Sequence, residues 1–102
     1  MNRVDNREEI LSYINSQKEY FRSRYRVISI ALIGSFARNE QTLDSDIDIL
    51  IELEENTPNI YELKKSLKQK LEERFGRLVE LASKRYLKPY YREQILHEAI
   101  YV

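Results

Sequence analysis

Two aspartates, Asp46 and Asp48, have the spacing in this sequence that best suits chemistry. In a strand, side chains two residues apart point to the same face, so the two residues would lie about 7 Å apart at Cα. Carboxylates this close repel each other, which raises the pKa of one of them unless a cation lies between them. Mg²⁺ suits such an all-oxygen site, since it binds one or two carboxylates together with substrate phosphates. A solvated pair at a strand end is the alternative that so short a motif leaves open.

Gly34 and Ser35 precede these aspartates, and ten residues separate Ser35 from Asp46. Glycine has no Cβ, so another group can approach its backbone closely. We expect Ser35 to cap a short helical turn that begins at Phe36, with free N–H groups and a hydroxyl facing an anion. A plain turn is the alternative. An anion-binding turn beside a metal-binding carboxylate pair is the arrangement that phosphoryl or nucleotidyl transfer requires.

The apolar pattern predicts the elements that position these residues. A first helix is predicted over residues 5–22, with Asp5 and Glu8 as its capping pair. Strands are predicted over residues 27–33, 46–53 and 77–83, because each segment is short and largely apolar. A second helix should begin at Thr57, its cap, and end at Gly76, and a last helix should run over residues 89–97, ahead of a short apolar tail. The order αβ(α)βαβα predicts one α/β domain, residues 1–102, around a small sheet.

The composition limits the classes of function. Hydrophobic residues make up 42% and charged residues 33%, which is typical of a soluble globular domain. The 17 Lys+Arg balance 17 Asp+Glu, which argues against a protein that holds nucleic acid through its phosphates. Cysteine is absent, which excludes disulfides and thiolate metal sites and, with a charged N-terminus, favours a cytoplasmic location. P-loop, Rossmann, serine-hydrolase and zinc-protease motifs are also absent.

The segment GSFARNEQTLDSDIDILIE, residues 34–52, resembles the GS-x10-D-x-D signature of the DNA polymerase β nucleotidyltransferase superfamily. The small size and the ending RLVELASKRYLKPYYREQILHEAIYV resemble the minimal nucleotidyltransferases (MNT), so the likeness covers nearly the whole chain. The resemblance implies the nucleotidyltransferase fold, an α/β (α+β) arrangement with a small mixed β-sheet flanked by helices. It also implies ATP as nucleotide donor and Mg²⁺, as two ions, for cofactor.

Members of the MNT family are antitoxins of HEPN/MNT toxin–antitoxin systems. The resemblance therefore implies that this chain AMPylates a tyrosine of a HEPN-domain toxin within a hetero-oligomer, without direct contact to nucleic acid or membrane. It assigns nucleotide binding to Gly34 and Ser35, and metal binding and catalysis to Asp46 and Asp48.

The family also implies a third carboxylate, usually Asp, on the following strand, where this sequence has Glu80. Glutamate is one methylene longer but keeps the charge, which is compatible with metal ligation or with accepting the proton of the attacking hydroxyl. Without the family, Glu80 equally fits an exposed strand residue. Arg38, in the turn after Ser35, has the geometry to donate to a β- or γ-phosphate, and a salt bridge to Glu40 or Asp44 is the alternative.

The C-terminal quarter holds further candidates. Three basic residues follow the third strand, as a solvated face or a contact surface: Lys84, Arg85 and Lys88. Four tyrosines crowd the same quarter, as a partner interface or as core residues: Tyr86, Tyr90, Tyr91 and Tyr101. His97, the only histidine, is expected to be a helix-end residue rather than a base.

Two other functions compete with the enzymatic one. An antitoxin that neutralises its partner by occlusion would have a vestigial active site, which Glu80 in place of Asp favours and the retained Asp46 and Asp48 oppose. A small-molecule nucleotidyltransferase resembling the aminoglycoside-modifying enzymes would need an extra helical domain, for which we expect no residues in this chain.

Overall fold

The computed structural model describes residues 3–102 and has the predicted alternation of helices and strands. The helices are α1 (Arg7–Tyr25), α2 (Gly34–Ala37), α3 (Ile60–Phe75) and α4 (Pro89–Glu98), with a 3₁₀ turn at Lys84–Tyr86. The strands are β1 (Val27–Ile33), β2 (Ile47–Leu53), β3 (Val79–Ser83) and β4 (Ile100–Tyr101). Residues 1 and 2 of the predicted domain lie outside the described residues. No helix within residues 3–102 combines the length and the apolar character needed to span a membrane.

The four strands form one mixed sheet in the order β3-β2-β1-β4. β1 pairs antiparallel with both β2 and β4, and β2 pairs parallel with β3 through the crossover helix α3. The small mixed sheet flanked by helices is therefore confirmed. The strand β4 was not predicted: the apolar tail forms it because Ile100 and Tyr101 pair with Leu32 and Ala31 of β1.

One face of the sheet carries the larger core. Ile47, Ile49 and Ile51 of β2 are each at most 1% exposed and belong to one apolar cluster with α1 and α3. The helices contribute fully buried aliphatic and aromatic side chains: Ile10, Ile14, Phe21, Leu67, Leu71 and Phe75. Burial of each such side chain stabilises the fold by about 1.5–3 kcal/mol. The alternation of β2 thus directs its odd-numbered isoleucines inward, as the sequence predicts.

The other face has a smaller apolar cluster. Ala31, Ile33 and Leu50 are buried there, and Ile95 and Leu96 of α4 pack against them. Because α4 covers only part of this face, the neighbouring positions of β2 and β3 stay accessible to a ligand.

Two helix starts differ from the prediction. The cap of α1 is Asn6 and not Asp5, because the Asn6 side chain accepts the Glu9 N–H at 3.0 Å. The helix also runs on to Tyr25 and ends at Arg26, which takes a left-handed conformation. The helix α3 begins at Ile60 rather than at Thr57.

Thr57 is buried, and its hydroxyl donates to the Glu54 carbonyl, which closes a turn three residues before the helix. Asn59, with φ of +55°, then leads into α3. The predicted stop at Gly76 is confirmed, with φ of +68° and its N–H bonded to the Glu72 carbonyl. Asparagine and glycine tolerate this left-handed region better than other residues.

Candidate active site

The strand register brings the chemically suited residues together. Asp48 of β2 lies opposite Ile33, the last residue of β1, on one side. On its other side Asp48 is the parallel partner of Glu80 in β3. Neighbouring strands are about 4.8 Å apart, so the two carboxylates stand side by side on the face opposite the main core. The register therefore brings Glu80 beside Asp48, and a shared role with both aspartates stays a prediction.

Asp46 lies just before β2, which begins at Ile47 rather than at residue 46 as predicted. The loop that carries it is held by Arg77, a residue that the sequence analysis used only as a strand start. Arg77 is 7% exposed, and its Nη1 donates to the Ser45 carbonyl at 2.8 Å while its Nε donates to the Val4 carbonyl at 2.8 Å. β3 starts at Val79, two residues after the predicted start, and the side chain of Arg77 bonds to the loop before β2. A buried guanidinium that donates to carbonyls is a strong tether, so Arg77 fixes the chain immediately before Asp46.

Electrostatics mark Asp48 as the centre of this cluster. Its carboxylate is half-buried, and burial is the first cause that raises the pKa of Asp48. The negative charges of Glu80, Asp46 and Glu98 raise the pKa of Asp48 further, and Arg38 lowers it. A cation between these carboxylates would relieve the repulsion.

The carboxylate oxygens of this cluster suit Mg²⁺ bound together with a substrate. Within the described part of the chain, no three acidic, histidine or cysteine side chains are grouped closely enough to hold a metal ion by themselves. Mg²⁺ does not need such a cage, because it keeps several water ligands and takes one or two carboxylates plus the phosphates of a substrate. Ligation by Asp46, Asp48 and Glu80 together remains a prediction.

Gly34 lies against the central carboxylate. Its φ is +78°, and a Cβ built on it would lie 2.3 Å from Oδ2 of Asp48. Only glycine fits both the backbone conformation and the space. The group that lies against this glycine is Asp48, and nucleotide binding by Gly34 stays a prediction.

The prediction that Ser35 caps the short helix is wrong. The helix α2 begins at Gly34, one residue earlier, and Ile33 precedes it without any side-chain cap. Ser35 is half-buried in the first turn, where its carbonyl accepts the Glu40 N–H at 2.8 Å. The cap is absent because the left-handed Gly34 turns the chain directly from β1 into α2.

Arg38 forms salt bridges with two carboxylates, one of which the sequence analysis did not consider. Its Nε donates to Glu40 at 2.9 Å, and its Nη1 donates to Oε2 of Glu98 at 2.8 Å. The hydrogen bonds to Glu98 and then to Glu40 raise the pKa of Arg38. The second oxygen of Glu98 accepts the N–H of Gly34 at 3.2 Å. Sixty residues separate Glu98 from Arg38, so no local pattern pointed to it.

The C-terminal candidates lie outside this cluster. The four tyrosines are between 47% and 73% exposed, so the alternative that they are core residues is wrong: Tyr86, Tyr90, Tyr91 and Tyr101. His97 is exposed in the last turn of α4, as expected of a helix-end residue. Lys84 lies 5.3 Å from the ring centre of Tyr101, and exposed Arg85 and Lys88 leave the solvated-face alternative open.

Comparisons with known proteins give the family and the relatives that this chain resembles. The family described as Nucleotidyltransferase domain matches residues 14–102. The protein adenylyltransferase MntA of Thermococcus cleftensis is similar to this chain, at 37% identity over 95 residues, which cover 93% of this chain and 94% of that protein.

Solved structures are similar as well. A provisionally named minimal nucleotidyltransferase superposes with a TM-score of 0.78 at 32% identity, covering 94% of this chain and 95% of that one. A crystal structure of a toxin–antitoxin with AMP-PNP superposes with a TM-score of 0.68 at 25% identity, covering 85% of this chain and 69% of that one.

Proposed function

This chain belongs to the nucleotidyltransferase domain family, and from that premise we propose that it is an antitoxin enzyme that uses Mg²⁺ to transfer AMP from ATP to a tyrosine hydroxyl of a partner HEPN toxin. The resemblance to the minimal nucleotidyltransferases is confirmed at the level of family and fold. The proposal adds the identity of the nucleotide donor, of the metal ion and of the acceptor.

The position of Asp48 is the observation that carries the proposal. It stands between the end of β1 and Glu80 of β3, in contact range of the glycine turn that opens α2. Its carboxylate has neighbours of the same charge, an arrangement that costs stability unless a cation is bound. A purely structural domain would have no reason to retain this cost.

The chemistry then divides among the residues of the cluster. When bound, Mg²⁺ would neutralise charge on the phosphates during transfer, with Asp46 and Asp48 as the residues that hold it. The hydroxyl oxygen of the acceptor forms a bond to the α-phosphorus, the bond between the α- and β-phosphates breaks, and pyrophosphate leaves. Glu80 accepts the proton of the hydroxyl.

The donors near the glycine turn serve the leaving group. Arg38 is the guanidinium closest along the chain to Gly34 and Ser35, and a planar fork of donors suits a phosphate. We assign the β- and γ-phosphates to this side of the cluster, and the acceptor to the side of Glu80.

The nature of the acceptor rests on the relatives. A protein 37% identical over 95 residues is named protein adenylyltransferase MntA, and a structural neighbour is a toxin–antitoxin with AMP-PNP. The exposed C-terminal tyrosines of this chain also suit a protein interface. These observations support a protein acceptor over a small molecule.

Label transfer tests the proposal. The full chain, a HEPN protein encoded beside it and α-³²P-ATP with Mg²⁺ should give a labelled HEPN protein, and EDTA should prevent the labelling. Asp48→Asn is nearly isosteric and should abolish labelling while the two proteins still co-purify. Asp44→Asn, which alters an exposed loop carboxylate, is the matched control and should label normally. If Asp48→Asn protects cells from the toxin as well as the wild type does, neutralisation is by occlusion and the enzymatic proposal is wrong.

A further inference from the structure

A groove runs along the outer edge of the sheet, beside the cluster described above. β3 is an edge strand that pairs only with β2 among the described residues. The N–H of Val79 donates to Oε2 of Glu72 at 3.0 Å, so the part of this edge that is open to another chain begins after Val79. The groove has a volume of about 710 Å³. The side chains that line it include Ile60, Tyr61, Lys64, Lys65, Lys68 and Glu80. Glu80 links the groove to Asp48.

The charge of this groove differs from that of the whole chain. The protein is formally neutral, but the groove wall has three lysines against one carboxylate. None of the three lysines forms an ion pair within residues 3–102, and Lys64 donates instead to the Ser83 hydroxyl at 3.0 Å. Tyr61 is 72% exposed beside them. A basic, partly apolar groove along a free strand edge has the features of a site for an extended acidic peptide.

We propose that this groove docks an extended acidic segment of the protein acceptor, which lies along β3 and presents its hydroxyl to Glu80. The proposal rests on the proposed function, because it names the region of the acceptor that the transfer site recognises. The lysines pair with the acidic side chains, and the β3 edge supplies backbone hydrogen bonds that do not depend on sequence.

Binding of two synthetic peptides to the full chain tests this docking site. The peptides have equal length and one tyrosine each, one rich in glutamate and the other rich in lysine, and binding is followed by fluorescence anisotropy. The acidic peptide should bind more tightly, and Lys65→Glu with Lys68→Glu should weaken it about tenfold or more, because like charges would then meet. Lys18→Glu with Arg22→Glu, the same charge change on α1, is the matched control and should leave binding unchanged.

Two outcomes would overturn the docking proposal: equal binding of both peptides, or no effect of the groove variant. A loss of Mg–ATP affinity in the groove variant, measured by calorimetry, would also overturn it and make the groove part of the nucleotide site. Charge-dependent peptide binding without any label transfer to a HEPN protein would leave the docking site standing and refute the proposed function instead.

A second, independent observation concerns Glu98 at the end of α4. One oxygen binds the guanidinium of Arg38 at 2.8 Å and the other accepts the N–H of Gly34 at 3.2 Å, while the side chain is 15% exposed. A carboxylate held this way ties α4 to the turn after β1. The negative charge of Glu98 also lies against the guanidinium of Arg38, which the proposed function assigns to binding phosphates.

We infer that Glu98 competes with the nucleotide for Arg38, so that the charge of Glu98 sets the affinity for ATP. This inference also rests on the proposed function, since the competing anion is the nucleotide. If Glu98 only held Arg38 in place, its substitution would have the opposite effect: Arg38 would become more mobile and nucleotide binding would weaken.

Calorimetric titration of the full chain with Mg–ATP distinguishes these signs. Glu98→Gln keeps the shape and removes the charge, so it should lower Kd about tenfold, as expected for loss of one charged hydrogen bond. Glu98→Ala should change Kd in the same direction and serves if Glu98→Gln folds poorly. Glu40→Gln removes the other, exposed partner of Arg38 and should change Kd much less.

An unchanged or raised Kd in both Glu98 variants refutes the competition. Absence of Mg–ATP binding to the wild type refutes the nucleotide assignment, and with it both the inference and the proposed function.

Discussion

One face of β2 stabilises the fold, whereas the charged residue on its other face opposes folding. Ile47, Ile49 and Ile51 turn toward α1 and α3 and are buried at 0–1% exposure. Asp48, between two of them along the chain, turns to the other face, where most of the charges that act on it are negative. The alternation of side chains along this one strand thus places an apolar core on one face of the sheet and a carboxylate cluster on the other.

The difference separates the residues that hold the fold from those proposed to act. Burial of the isoleucines stabilises the sheet, whereas burial and repulsion at Asp48 oppose folding. A substitution on the core face should therefore change stability first, and one on the cluster face should change activity first.

Ile49→Ala should give the largest loss of stability. Ile49 is fully buried in the main core, and removal of a buried isoleucine side chain costs about 2–5 kcal/mol. Urea unfolding followed by circular dichroism measures this loss. Ile28→Ala is the control on β1, since Ile28 is 44% exposed and its truncation should cost far less. Equal losses at the two sites would contradict the assignment of the core face.

Gly34→Ala should lower both the stability of the fold and the activity. The residue must take φ of +78° with its new Cβ 2.3 Å from Oδ2 of Asp48, so we expect a loss of about 1–3 kcal/mol together with loss of label transfer. Gly76→Ala, at the exposed glycine with φ of +68°, measures the backbone cost alone. The double variant Gly34→Ala/Asp48→Ala should recover part of the stability and none of the activity. Wild-type transfer by Gly34→Ala would refute the close approach.

Local patterns predicted the parts of the fold that depend on local sequence. β1 has the predicted bounds because a run of apolar residues lies between Arg26 and Gly34. The start of α1 was placed one residue early because Asp5 and Asn6 are both good caps, and only the geometry selects Asn6. The spacing of Asp46 and Asp48 predicted two carboxylates on one face of a strand, but β2 begins at Ile47, so strand alternation applies to Asp48 and not to Asp46.

Contacts between distant segments were not predictable in this way. Arg77 reaches Val4 and Ser45 across 73 and 32 residues, and Glu98 reaches Gly34 across 64. Neither residue type nor spacing signals such a contact, because it depends on the packing of whole elements. β4 has two residues, too few for a periodic pattern, and forms only because β1 offers it a free edge.

Asp48→Asn should raise stability at neutral pH while it abolishes activity. Because the pKa of Asp48 is raised in the fold, its contribution to stability is fully present below the pKa of the unfolded state and is lost as pH rises through the folded pKa. At pH 7 the ionised carboxylate therefore opposes folding, and Asn removes that cost. Thermal unfolding over a pH series should show a higher Tm for Asp48→Asn at pH 7, and a difference that disappears under acidic conditions. A lower Tm at pH 7 would mean that the carboxylate supports the fold.

Glu80 should give the smallest change in stability and the clearest separation of roles. Its side chain is exposed on β3, so neither Glu80→Gln nor Glu80→Asp should alter the free energy of unfolding by more than about 0.5 kcal/mol. Glu80→Gln cannot accept the proton of the attacking hydroxyl, and we expect label transfer to fall by about 10²–10⁴-fold, the usual contribution of a general base. Glu80→Asp keeps the carboxylate and restores the residue usual in the family, so it should retain activity. A rate measured against pH completes the test, since the limb that reports the base should disappear in Glu80→Gln and persist in Glu80→Asp. If Glu80→Gln transfers AMP at the wild-type rate, the proton goes elsewhere, and Glu80 lines the acceptor groove without taking part in the chemistry.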